Sequence, residues 1–269
     1  MSVETILAFR FVVAIILIWM YVFFQKISFK LPLKNIVYFL FLGILMIGAS
    51  TFMYESYKYI PGAIAALLVM LYVVLVVIIE IVIGRDKPRL NKLGCVLLAT
   101  LGLIAVVWTP EGYTSLNPLG ILFGCLAGLC YALYAIGLGG KSTRATKPEI
   151  VTAYWLLPVG LFAVVRCLAN QQPLLPSNFD QLGYALYLAI VSTFIAGICF
   201  VKAVKYIGSG NASLINTTEP LIAYVAGIVL MSDVISWQAT FGGILIIGAI
   251  VWLNMVDKKK TGVNPKKLE

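Results

Sequence analysis

The stretch from Lys202 to Pro220, KAVKYIGSGNASLINTTEP, leads from two lysines into an apolar helical pattern that carries Asn216, Thr217, Thr218, Glu219 and Pro220 within it. A weak copy lies 147 positions earlier: Lys58-Tyr59-Ile60 falls on Lys205-Tyr206-Ile207, Ala65 on Ala212, Leu67 on Leu214 and Asp86 on Asp233. Two related halves are therefore expected. They differ most in chemistry where the second has Glu219-Pro220 and the first has Tyr72-Val73.

Of the 269 residues, 61% are hydrophobic and 12% charged, far from the composition of a soluble domain. Apolar runs long enough to cross roughly 30 Å of hydrocarbon recur along the whole chain, and their continuity is that of helices rather than of alternating barrel strands. Nine membrane spans are predicted, at 5–24, 36–58, 62–83, 91–108, 117–138, 149–168, 182–203, 211–231 and 236–256. Nine of the eleven prolines fall in connectors or first helical turns, where a missing N–H costs least; only Pro158 and Pro220 lie inside spans.

The net charge of +9 is spread between the spans rather than gathered on one face or tail, so a nucleic-acid partner is not expected. Seventeen of the 20 Lys and Arg residues sit in alternate connectors and the C-terminal tail, leaving Arg10, Lys58 and Arg166 on the other side. This asymmetry puts the C-terminus in the cytoplasm and, with nine spans, residue 1 outside. Lys58 and Lys205 then lie on opposite sides, which makes the two halves inverted repeats. That design places a solute site near the midplane and opens it to each side in turn. No connector exceeds about 15 residues, so function has to reside between the helices.

The five cysteines all lie inside apolar runs without paired-ligand spacing, and there is no histidine, so neither a metal, a cofactor nor a disulfide framework is expected. Without histidine no nucleophile, base and orienter can be grouped, and no phosphate-binding GxxxxGK[ST] loop occurs; an enzyme or a nucleotide-driven pump is not expected.

Glu219 lies about 12 Å along its span by helical rise, near the bilayer middle, where a charged carboxyl must face a cavity or a partner. Pro220 removes a helical donor beside it, while Asn216, Thr217 and Thr218 add hydrogen-bonding groups. Two readings stand: a substrate or proton site, and a structural hydrogen-bond cluster between helices. Tyr72, the counterpart of Glu219, together with Tyr131 and Tyr134, has the depth of a cavity wall or of ordinary packing. Arg10, about five residues from the outer end of its span, can snorkel. For Glu55, Lys58, Glu80, Arg166 and Lys202, each close to a span end, snorkelling to the interface is the favoured reading. Gly120, Gly124, Gly128 and Ala132 form a small-residue stripe suited to close helix approach, within one chain or across a homodimer.

The segments LAFRFVVA (7–14), YESYKYIPGAIAALL (54–68), VKAVKYIGSGNASLINTTEPLIAYVAGIVLMSD (201–233) and FGGILIIGAIVW (241–252) resemble the drug/metabolite transporter superfamily, specifically its EamA-type members. The resemblance implies an all-α membrane protein of two inverted five-helix repeats. Its function would be secondary-active export of small metabolites, amino acids or xenobiotics by alternating access, with proton coupling a candidate energy source. It would sit in a plasma membrane of bacterial inner-membrane type. The repeats would be residues 1–108 and 117–256, followed by a basic cytoplasmic tail, 257–269. Residues 7–11 match the pattern that opens the second helix in that family, and the resemblance gives the matching Arg10 a functional or helix-coupling role. The chain as written thus reads as four plus five helices, through a mis-assigned start, a trimmed chain or a nine-span variant. The family's proline in the fourth helix of each half is present only as Pro220; the first half has Val73. A non-transporting scaffold is the alternative function.

Overall fold

The computed structural model describes residues 2–60, 62–84, 90–107, 117–176, 178–219, 222 and 237–261, and among these the regular secondary structure is all helical, with no strand. The helices are α1 (Val3–Phe24), α2 (Leu33–Tyr57), α3 (Gly62–Met70), α4 (Tyr72–Val82), α5 (Leu90–Val107) and α6 (Pro118–Leu138). They continue with the short α7 (Lys141–Ala145), then α8 (Pro148–Ala169), α9 (Phe179–Tyr187), α10 (Ala196–Ile207), α11 (Ser209–Asn216) and α12 (Trp237–Thr261). A π-helical segment, Leu188–Ile195, joins α9 to α10.

Helix starts follow local chemistry. The Ser2 hydroxyl accepts from the Thr5 amide at 3.2 Å to cap α1, with Glu4 in the first turn, and Pro148 opens α8, where its missing N–H is harmless. Among the described residues six helical stretches are long and apolar enough to cross a membrane: Glu4–Phe24, Leu33–Tyr57, Ile64–Val82, Pro118–Leu138, Pro148–Ala169 and Phe179–Ile207. Within α5 and α12, Leu93–Gly102 and Thr240–Ala249 are shorter apolar stretches. Of the span predicted at 211–231, only 211–219 and Ile222 fall among the described residues. Large apolar side chains such as Phe23, Phe24, Val82, Leu90 and Phe179 are exposed along these helices. A surface so apolar on helices of this length belongs against lipid, and the molecule is an integral membrane protein.

Three of the predicted spans are interrupted as helices. The span at 62–83 is divided at Leu71, whose amide bonds to the Leu68 carbonyl (3.2 Å), one residue nearer than in an α-helix. In the second half the same tightening occurs at Thr217 and Thr218, whose amides bond Leu214 and Ile215 at 3.2 and 3.1 Å. The 182–203 span is observed as 179–207 with the π segment inside it, where the Thr193 hydroxyl reaches back to the Leu188 carbonyl at 3.1 Å.

The chain forms two compact units, 1–50 with 133–209 and 51–132 with 210–269, so each takes helices from both halves of the sequence. In the first unit, Gly43 lets α2 meet the Trp155 carbonyl and the ring of Pro158 on α8, and the Tyr38 hydroxyl donates to the Gly137 carbonyl at 2.6 Å. Lys202 does not simply snorkel: its ammonium lies 3.2 Å from the Glu149 carboxylate, and Lys205 donates to the Thr146 carbonyl at 2.8 Å. Lys58 and Glu55 of the second unit pair in the open at 2.7 Å. Lys202→Ala, which leaves the largely covered Glu149 without its cation, is expected to cost about 1 kcal/mol. Lys58→Ala is expected to cost under about 0.5 kcal/mol. Denaturant titration in mixed micelles checks both.

In the second unit, α5 packs along α12, and a Cβ on Gly102 would lie 2.7 Å from the Gly242 carbonyl. The stripe on α6 faces this same chain: Gly120 meets Tyr59 and Ile60, Gly124 meets Leu68 and Ser56, and Gly128 meets the carbonyls of Leu68 and Val69. Ser56, fully buried, donates its hydroxyl to the Gly120 carbonyl at 2.8 Å. These contacts bring the backbone of α6 against the divided helix α3–α4.

Candidate functional site

The divided helices present a polar cluster inside the second unit. Tyr72 is the first residue of α4 and is 1% exposed; Asn216 is the last residue of α11. The Asn216 amide donates from Nδ2 to the Tyr72 phenol oxygen at 3.0 Å and, over a longer 3.4 Å, to Glu219 Oε2. The ring of Tyr131, from α6, stands edge-on to that of Tyr72 with centroids 4.5 Å apart. Tyr72, Tyr131, Asn216 and Glu219 are thus brought together as one chain of polar groups backed by aromatic rings.

The local fold explains why these groups are available. Both tightened turns end a short helix immediately before the cluster residue, so Tyr72 and Glu219 leave from a break rather than from mid-helix. The two threonines stabilise the second break from within: Thr217 Oγ1 donates to the Leu214 carbonyl at 2.6 Å and Thr218 Oγ1 to the Ile215 carbonyl at 2.7 Å. Thr217 is accordingly buried with its proton spent on the backbone, and its contribution is to shape the turn. Asn216 makes both bonds with the two N–H groups of its side-chain amide, which the helical ladder does not use. Glu219 is exposed, and among the described residues no ion pair is formed with it.

Arg10 and Tyr134 belong to the first unit. The Arg10 guanidinium lies 4.7 Å above the Phe11 ring, and Tyr134 is buried edge-on to Trp155 (5.4 Å) and stacked with Phe200 (6.3 Å). Pro220 lies outside the described residues.

The profile of the EamA-like transporter family matches residues 1–108 and 118–255. The chain belongs to the EamA-like transporter family. Among its relatives, an uncharacterized transporter of Archaeoglobus fulgidus is 27% identical over 194 residues, covering 70% of this chain and 66% of the relative. A second uncharacterized transporter of that organism is 25% identical over 255 residues, covering 90% and 84%. Protein PecM of Dickeya dadantii is 23% identical over 214 residues, covering 78% and 71%. A solved crystal structure shares the fold with a TM-score of 0.83 over 95% of this chain and 90% of its own, at 15% identity. Family membership makes this a membrane transporter protein rather than a member of an enzyme family.

In this EamA-like chain one acidic group behaves differently from its expected role. Glu80, on α4, does not snorkel: it is 7% exposed and accepts the Gly210 amide at 3.1 Å. Distance from a span end could not distinguish these outcomes, because the donor arrives on another helix 130 residues away. The available signal was Gly208-Ser209-Gly210, a helix start whose capping position is a glycine without an acceptor side chain.

Proposed function

We propose that this protein is a secondary-active transporter that moves a small metabolite, amino acid or xenobiotic outward by alternating access, with Glu219 as the solute- or proton-binding group. Asn216 and Tyr72 hold that carboxylate in place, and Tyr131 walls the site. The observation that carries this reading is the Tyr72–Asn216–Glu219 chain at the ends of two broken apolar helices. A carboxyl at membrane depth is retained against its insertion cost only where it has work or a partner.

The two halves, 1–108 and 117–256, are read as inverted repeats, followed by the cytoplasmic tail 257–269. Supporting this, α3 starts at Gly62 and α11 at Ser209, 147 residues on. The tightened bond Leu71 N to Leu68 O has its counterpart in Thr218 N to Ile215 O, and Leu75 N to Leu71 O has its counterpart in Ile222 N to Thr218 O, each at the same offset. Matching breaks in two halves of opposite orientation suit a site served from both faces.

The test is uptake by inverted membrane vesicles of a panel of radiolabelled amino acids and fluorescent cations, with and without an imposed proton gradient. At least one probe is expected to accumulate above the level in vesicles lacking the protein, and to do so more with the gradient. Binding without accumulation for every probe would favour the scaffold reading. As a check on site geometry, Tyr72→Phe removes one bond to Asn216 and is expected to lower initial uptake by about three- to tenfold at unchanged protein level.

A further inference from the structure

α11 begins in an unusual way. α10 ends at Ile207, Gly208 adopts φ +84° and ψ 159°, and α11 starts at the next residue. That backbone conformation is open essentially to glycine alone, and a glycine at the capping position supplies no side-chain acceptor for the first amides of the helix. A buried helix start of this kind needs an acceptor from elsewhere. Glu80 supplies it: a carboxylate on α4 accepting the buried Gly210 amide, favoured also by the positive end of the helix dipole.

The same two helices are bonded a second time, by Asn216 and Tyr72. Tyr72 and Glu80 are separated by about 12 Å of helical rise on α4, and Gly210 and Asn216 by about 9 Å on α11. The pairs meet in reverse order, so α4 and α11 run antiparallel and are tied at both ends. Two ties of similar separation leave little freedom for α11 to slide or rotate along α4.

We infer that Glu80 is a positioning residue for the site: by holding the start of α11 against α4 it sets where Asn216 stands, and so keeps its amide within reach of Tyr72 and Glu219. The role in transport rests on the reading of that cluster given above; the mechanical coupling does not. The sequence offset of 147 sets Gly227 against Glu80, so the second half has no equivalent carboxylate.

Hydrogen–deuterium exchange of the full chain in lipid nanodiscs tests the coupling without a solute. In Glu80→Ala, amides of 211–219 are expected to exchange at least about tenfold faster, including 214–219 at the far end, while those of α5 and α12 stay within about threefold. Glu80→Gln keeps an acceptor oxygen and is expected to restore exchange to within about threefold of the parent. Glu80→Asp, with its acceptor drawn back by one methylene, should fall between the two and serves if Glu80→Ala fails to accumulate. Acceleration confined to 210–212 would make Glu80 a helix cap and nothing more; acceleration throughout the chain would make it a general fold determinant. Either result overturns the inference. If the exchange result holds but Glu219→Gln leaves vesicle uptake unchanged, the coupling stands and the assignment of the cluster as the transport site fails.

Discussion

Glu219→Gln is expected to reduce vesicle uptake by on the order of ten- to a hundredfold, and to remove its response to a proton gradient, while the protein reaches the membrane in normal amount. The size follows from the worth of hydrogen bonds and contacts made by a charged group, about 1.5 to 3 kcal/mol, at about 1.4 kcal/mol per factor of ten. Retention of the fold follows from the structure. Glu219 is exposed, its bond from Asn216 is long at 3.4 Å, and among the described residues no ion pair depends on it. Gln keeps the size and an acceptor oxygen, so the amide of Asn216 retains a partner; what is lost is the charge and the exchangeable proton. Initial-rate measurement against a pH series, with membrane content set by immunoblot, checks the result. Unchanged uptake with an unchanged pH profile would remove Glu219 from the mechanism.

Gly43→Ala is expected to be among the most damaging single-methyl additions in the chain. The added Cβ would fall on the backbone carbonyl of Trp155 and on the Pro158 ring, neither of which can turn aside as a flexible side chain would. α8 is stiff there for a second reason: Pro158 lies inside it and its ring already displaces the local ladder. α2 and α8 would have to separate, losing close packing that in a membrane is the main source of helix association. A loss of about 1 to 3 kcal/mol is expected, the usual range for overpacking. Gly183→Ala provides the control, since a Cβ there meets nothing within 4 Å. Thermal unfolding in detergent should separate the two clearly, and equal stability of both variants would show that the α2–α8 contact is looser than described.

Hydropathy marks a membrane helix most clearly where an apolar run has the full spanning length, because such a run has few alternatives in a bilayer. Hence 5–24, 36–58, 117–138 and 149–168 match α1, α2, α6 and α8 to within a few residues. Proline placement marked the starts of α6 and α8 and the interior of α8 at Pro158. The break at Leu71 had no such signal: Val69-Met70-Leu71-Tyr72 contains no proline, glycine or capping residue, and the carbonyls of Leu68 and Val69 are met by Gly128 from a helix far away in sequence. The break at Thr217–Thr218 was half legible. Its polar residues stood out, but their hydroxyls turned out to bond the backbone rather than face a ligand.

The candidate site divides in the same way. Tyr72, Tyr131, Asn216 and Glu219 come together, whereas Arg10 and Tyr134 lie in the other compact unit, within reach of Phe11 and of Trp155 and Phe200 respectively. Depth along a span is a one-dimensional quantity read from residue counting. Which helices are neighbours is not, and in this fold each unit combines helices from both sequence halves. Glu80 shows the cost of that gap. Counted from its span end it resembles any snorkelling carboxylate; set beside α11 it is the acceptor for a helix start that lacks its own cap.

The central claim, that a site at Glu219 is exposed alternately to the two sides of the membrane, is tested most directly without knowing the solute. In a chain whose five native cysteines are replaced, Glu219→Cys is labelled with a membrane-impermeant maleimide in right-side-out and in inverted vesicles. The account predicts labelling from both sides, each incomplete, with an outward-locking cross-link slowing labelling from inside and an inward-locking one slowing labelling from outside. Labelling from one side only, or from neither, would contradict it.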